Sequence, residues 1–251
     1  IYEAQLDSLD HELAHLIEHY MADGGAAGIM RPQPALHRVV PAAGAVKSEW
    51  ILPYDDVRAY LEQARTFSVR DCICRVQQDL LESRRCDFPL RNCVSFSPAE
   101  RPPRPGDISR DEALAILDEC EAAGLVHSVS NVAAGVGYVC NCCGCCCGVL
   151  RGITDFGIEG SMAAASYRAV VDADACGECG RCAERCQVDA VDTSAGVAVV
   201  DADRCIGCGL CVTTCPEEAI ALERLPEDRI VPPPPDFGAW ERQRLASRGL
   251  G

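Results

Sequence analysis

The sequence predicts an α+β protein: a helical N-terminal part, a mixed Cys-rich domain, and a C-terminal domain of short strands and Cys-rich loops. Three observations predict it. Apolar residues recur at helical spacing near the start, a capping box opens a later helix, and a repeated Cys run sits among short strand patterns near the end. The expected boundaries are 1–66, 67–165 and 166–225, with a Pro-rich tail at 226–251.

Residues 3–21 read as an amphipathic helix. Leu6, Leu9, Leu13, Leu16, Ile17 and Tyr20 share one stripe, and Gly24 and Gly25 end it. A stretch broken by Pro and Gly runs to Pro53, with a short strand at Val39 and Val40. A second helix is expected from Asp55 to about Thr66. Pro98, Pro102, Pro103 and Pro105 mark a surface loop. Ser109 and Glu112 form a capping box for a third helix, which Gly124 stops. Residues 125–129 and 136–139 then lead as strands into the densest Cys run.

The tail carries four successive Pro at 232–235, an extended spacer before an Arg-rich end. It has no apolar periodicity and so no core of its own. It is expected to dock through Phe237, Trp240 and Leu245, with Arg242, Arg244 and Arg248 pairing with carboxylates. Another subunit is the favoured surface, and the chain's own body is the alternative.

Nineteen of the 251 residues are Cys. A disulfide scaffold fits poorly, because the count is odd and neighbours such as Cys142 and Cys143 cannot adopt good disulfide geometry. Thiolate-bound metal fits better and implies a reducing, anaerobic cytoplasm. The formal charge of −15 disfavours nucleic acid and suits a basic patch on a redox partner. No apolar run reaches the ~18 residues a membrane helix needs, and no signal peptide is visible. The first residue is Ile rather than Met, so a processed or partial chain is expected.

The repeat reads Cys176-x2-Cys179-x2-Cys182-x3-Cys186, then Cys205-x2-Cys208-x2-Cys211-x3-Cys215-Pro216. A four-iron cubane wants one thiolate at each iron, and x2 spacing wraps three sulfurs onto three corners. The fourth Cys of each run ligates the other cluster. Cys176, Cys179, Cys182 and Cys215 are therefore assigned to one [4Fe–4S] cluster, and Cys205, Cys208, Cys211 and Cys186 to a second. A hairpin is expected between the runs. These residues resemble two-cluster bacterial ferredoxins, with Gln187 standing where Pro is usual. Zinc ribbons and disulfides are the plainer readings of such Cys.

Two further groups lie upstream. Cys72, Cys74, Cys86 and Cys93 offer four ligands for one more cluster, with Cys72 and Cys74 facing the same way if the segment is extended. Arg75 is placed to donate to a sulfide; a structural zinc site is the alternative. The run Cys140-Asn141-Cys142-Cys143-Gly144-Cys145-Cys146-Cys147 holds too many thiols for one cubane. Adjacent side chains diverge, so the run serves two centres, lends ligands to the cluster at 72–93, or holds one cluster larger than a cubane. One or two clusters beyond the first two are expected. Cys120 reads as a core residue of the third helix.

His11-Glu12-Leu13-Ala14-His15 matches the zinc-protease pattern H-E-x-x-H. The helical wheel sets His11, His15 and His19 away from the Leu stripe, toward solvent and away from any cleft. A protease is therefore not expected.

A wider resemblance rests on Leu52-Pro53-Tyr54-Asp55-Asp56-Val57, Asp71-Cys72-Ile73-Cys74-Arg75, Cys86-Asp87-Phe88-Pro89-Leu90, the helix and strand at 109–127, and the run at 140–147. Together they resemble the multi-cluster 4Fe–4S dicluster-domain proteins of anaerobic bacteria and archaea. The likeness implies architecture and redox character and names no substrate. Relatives commonly carry a winged-helix-like domain ahead of the segment matching Ile1.

The expected function is iron–sulfur electron transfer, as a relay subunit or partner of a larger anaerobic oxidoreductase carrying flavin or metal. An oligomer or complex is expected. One alternative is a redox enzyme with a non-standard catalytic cluster at 140–147. Another is an iron–sulfur redox sensor, against which the negative charge counts.

Overall fold

The structure, a computed structural model, describes residues 7–46 and 51–250. Leu6 and the start of the expected first helix lie outside the described residues. Helix α1 (His11–Tyr20) opens on Asp10, whose side chain accepts from the Leu13 N–H. Only Ala14 of this helix is fully buried, and Leu16 and Tyr20 are exposed, so the apolar stripe is covered in part. A wide turn at Met21–Gly25 leads into α2 (Ala26–Met30).

Seven strands form the main sheet. They are β1 (His37–Val40), β2 (Thr66–Asp71), β3 (Arg91–Ser97), β4 (Asp107–Ile108), β5 (Val126–Ser130), β6 (Tyr138–Cys142) and β7 (Met162–Ala163). Their order is β4-β2-β3-β6-β5-β1-β7. Every pair is antiparallel except β1 with β7, so the sheet is mixed and the fold is α+β.

Helix α3 (Val57–Glu62) caps on Asp56 and is shorter than the sequence suggests, because Thr66 already begins β2. Helix α4 (Ile73–Leu80) starts directly after Cys72. Cys72 and Cys74 therefore do not share an extended segment, the condition under which they would face the same way. Helix α5 (Arg110–Ala123) has the full capping box of Ser109 and Glu112 and ends on Gly124 at φ 96°, as its sequence dictates. Leu117 and Ala113 of α5 pack on Val94, Phe96, Val129 and Val139, one of the protein's apolar cores. A short helix, α6 (Arg151–Thr154), follows the Cys run.

The C-terminal part is built from two related halves. Strand β8 (Tyr167–Val171) pairs antiparallel with β11 (Ile220–Arg224), and β9 (Val191–Asp192) pairs with β10 (Val199–Val200) as the expected hairpin. Each half has one short helix, α7 (Arg181–Arg185) or α8 (Leu210–Thr214). Each helix is entered through a glycine with positive φ, Gly180 at 74° and Gly209 at 75°, a conformation that suits glycine.

The tail forms helix α9 (Phe237–Ser247), capped by Asp236. It lies on the chain's own body, the alternative of the two surfaces considered. Arg244 donates to the carbonyls of Pro32 (2.7 Å), Pro34 (2.8 Å) and Ile29, and Trp240 Nε1 donates to Ala35 O at 3.0 Å. Arg244 is buried, whereas Phe237 and Leu245 stay exposed. The main anchor is thus a cation satisfying a Pro-rich loop's carbonyls, instead of the apolar docking expected.

Candidate metal centres

In the C-terminal part, Cys176, Cys179, Cys182 and Cys215 line a hollow with an empty volume of about 360 Å³. Three sulfurs come from one run and the fourth from the end of the other. Cys179 is exposed, so the hollow opens to the surface. Cys186, Cys205 and Cys208 act electrostatically on one another and on Cys211, and Cys182 of the first set also reaches Cys211, so the two sets adjoin. The halves match in detail. Cys186 ends α7 and accepts from the Ala190 N–H at 3.2 Å; Cys215 ends α8 and accepts from the Ala219 N–H at 3.3 Å. Asp189 (φ 52°) and Glu218 (φ 50°) take the same left-handed turn. Burial pushes the Cys208 thiol up to about 12 and raises Cys182, Cys186 and Cys211. A positive centre is what holds such buried sulfurs as thiolates. Thiolate number, crossing and the hollow all fit iron–sulfur cubanes.

Residues 169–222 match the family model of the 4Fe-4S dicluster domain. This segment therefore binds iron–sulfur clusters and supports an electron-transfer role. No curated protein and no solved structure matches the chain. Among the described residues, no helix is long and apolar enough to cross a membrane.

Upstream of the dicluster segment the structure sorts the other Cys into two groups. The Cys72 thiol meets those of Cys74 and Cys93, and the line continues from Cys74 through Cys147 to Cys142 and Cys140. The sheet explains this gathering. Val94 on β3 pairs with Val139 on β6, so Cys93 and Cys140 sit one step further along neighbouring strands. Cys72 stands at the N-terminus of α4, and its carbonyl accepts from the Arg75 N–H at 3.0 Å. Cys74 therefore joins Cys72 from a helical turn.

The second group is Cys86, Cys143, Cys145 and Cys146, whose sulfurs all lie within 4.8 Å of one another. The spacing at 72–93 had placed Cys86 with Cys72, Cys74 and Cys93. The structure seats it with the later run, because residues 82–90 leave α4 without regular structure and swing across. Adjacent side chains in the run do diverge. Cys142 and Cys147 face the first group, and Cys143 and Cys146 face the second. Cys120 packs beside the second group in a small core with Leu125, and burial pushes its thiol up to about 12.

Arg75 lies between the two groups and is 0% exposed. Its guanidinium donates to Pro89 O (3.0 Å), Asn92 Oδ1 (3.1 Å) and Asn141 O (2.9 Å). Burial works against its charge, but Cys72, Cys143 and Cys142 outweigh burial and hold it above its ordinary value. Among the described residues, three buried donor atoms beside these groups have no hydrogen-bond partner: Arg75 Nε, Arg84 Nε and Asn92 Nδ2. They suit the sulfur atoms of a bound centre.

Asn141, fully buried between Cys140 and Cys142, fixes the run. Its Oδ1 lies 2.6 Å from His127 Nδ1, and Glu121 Oε1 lies 3.1 Å from His127 Nε2. Sequence reasoning missed these supports and Asn92. The one available sign was a polar Asn inside an otherwise apolar strand. His11, His15 and His19 are exposed on α1, far from a protease cleft in character.

Proposed function

We propose that this chain relays electrons through iron–sulfur centres as a subunit or partner of a larger oxidoreductase. The carrying observation is continuity. Cys140, Cys142 and Cys147 lie in a buried core against which the half-buried Cys186, Cys205 and Cys208 of the dicluster segment pack. The hollow at Cys176, Cys179, Cys182 and Cys215 gives the line an end at the surface, where a redox partner would dock. Clusters bound there supply one-electron chemistry. The chain's own residues fix the ligand positions, exclude water from the inner sulfurs and set the field through Arg75. The negative surface suits a basic partner in a reducing compartment. The test is an anaerobic reductive titration followed by electron paramagnetic resonance. Two interacting S = 1/2 signals from 176–215 are expected, and fewer than about eight irons per fully loaded chain would refute two [4Fe–4S] clusters there.

A second reading has its own support. Arg70, Asp71, Ser95, Tyr138, Cys93 and Cys140 line a hollow with an empty volume of about 280 Å³. From Tyr138 a polar line runs through His37 (3.1 Å) and Ser128 (3.3 Å) to Cys142 Sγ (3.5 Å). That arrangement would let a small molecule and a proton reach the six-thiol group, as a catalytic centre at 140–147 requires. Tyr138→Phe would slow turnover of such a substrate and leave a pure relay unchanged.

A further inference from the structure

We propose that Cys86, Cys143, Cys145 and Cys146 hold a single tetrahedral metal ion through four thiolates, a site separate from the iron–sulfur clusters of the relay. The separation of the sulfurs carries this. Cys86 Sγ lies 3.7 Å from Cys146 and 4.0 Å from Cys143, and Cys145 lies 3.6 Å from Cys146. A tetrahedral ion with metal–sulfur bonds of about 2.3 Å sets its four sulfurs ~3.8 Å apart. A cubane puts four irons and four sulfides between its thiolates and spreads them to roughly 6 Å.

The same chain provides the contrast. The dicluster cysteines stand around an open hollow, and among the described residues no group except these four brings all its ligand atoms within 4.8 Å. The two kinds of spacing read as two kinds of centre.

Local structure fits a single ion. Cys143 and Cys146 have the x2 spacing of a metal-binding turn. Cys147 N–H closes the same turn on Cys143 O at 3.1 Å. The fourth ligand arrives from residues 82–90, which have no helix or strand of their own. Arg85 braces that approach by donating to Cys145 O at 3.0 Å. A tetrahedral ion would pin this crossing to the run, releasing the thiol protons as it binds. An all-thiolate tetrahedral set takes zinc or mononuclear iron.

The site goes beyond the relay reading and is tested apart from it. Anaerobically purified wild-type chain and its Cys86→Ala and Cys145→Ala variants would be compared by metal analysis, with X-ray absorption at the zinc and iron edges. Each variant is expected to lose about one metal per chain, with the two dicluster resonance signals intact. Zinc loss identifies a structural ion, and loss of one iron without an iron–iron vector identifies a mononuclear iron; either supports the site. Loss of about four irons, or unchanged metal content, overturns it. Should both variants fail to fold, cobalt substitution in the wild-type chain decides the matter. One tetrahedral four-thiolate cobalt spectrum is expected, and its absence overturns the proposal. Loss of the dicluster signals in the wild type would count against the relay and leave this site untouched.

Discussion

The side-chain oxygen of Gln187 accepts a hydrogen bond from the Gly144 N–H at 2.9 Å. These two residues join the upstream Cys run to the dicluster segment, since Gln187 follows Cys186 and Gly144 lies between Cys143 and Cys145. The approach is so close that a Cβ on Gly144 would meet Gln187 O at 2.0 Å. Gly144→Ala must therefore push the run off Gln187. Gln187→Leu keeps the bulk and leaves the Gly144 N–H unpaired, costing about 1 kcal/mol. Both variants should lower the denaturation midpoint, Gly144→Ala by more, and both should slow electron transfer between the segments in flash-reduction experiments. Unchanged transfer in Gly144→Ala would show that the contact is no route.

The crossing of the two runs gives a second prediction. Cys215→Ser should disturb the same resonance signal as Cys176→Ser, and Cys186→Ser the same signal as Cys205→Ser. If Cys215→Ser pairs with Cys205→Ser, the ligand assignment is wrong.

Arg75 gives a third. Arg75→Met removes a buried cation and strands three acceptors, so a stability loss of about 3–5 kcal/mol is expected. Removing positive charge beside thiolates should also move the reduction potential of the neighbouring centre downward in a redox titration. Arg75→Lys keeps the charge but cannot reproduce the fork and should recover only part of the stability. A potential unmoved in a folded Arg75→Met variant would rule out electrostatic tuning.

The dicluster segment was legible because three ligands of each four sit at x2 spacing on one local loop, and the repeat of the run supplies the fourth. Helix α5 was legible for the same reason, its cap and stop being local signals. The division of ten of the eleven upstream Cys between two groups was not legible. Cys93 reaches Cys140 through the pairing of β3 with β6, and Cys86 reaches Cys146 through an irregular crossing; neither contact leaves a periodic trace. Helix α9 was missed because no apolar stripe marks it, its hold on the body resting on hydrogen bonds to carbonyls.

Asp107 supplies a test by pH. The hydrogen bond from Arg101, then that from the Arg104 N–H, lower its carboxyl from 3.8 to about 2. Its folded value lies below its unfolded one, so its contribution is full above about pH 4 and is lost as pH falls toward 2. Asp107→Asn should lower stability at neutral pH, with the gap to wild type closing across that acid window. Circular dichroism at graded pH measures it, and a gap constant down to pH 2 would contradict the assignment.

The tail gives the last prediction. Pro32 and Pro34 lack N–H groups of their own, and their carbonyls would be poorly satisfied without an outside donor. Arg244 donates to both, and also to Ile29 O, from a helix more than two hundred residues away in sequence. Around it, Ala133 and Ala134 donate to Pro234 O (2.8 Å) and Pro235 O (3.1 Å), and Gln33 N–H donates to Ser247 Oγ (3.1 Å). These bonds make the tail a strap over residues 29–36 and 131–134. Arg244→Ala should cost about 2–3 kcal/mol, since charge-assisted bonds to buried acceptors are lost together. The segment at 26–36 should then exchange its amide hydrogens faster and become open to proteolysis. Deleting residues 232–251 should do the same to a larger degree and leave the iron content of 176–215 unchanged, because the tail's hydrogen bonds named above fall on residues 29–35 and 133–134. If deletion leaves exchange at 26–36 as it was, the strap carries no stability and the tail's bonds to the body are incidental.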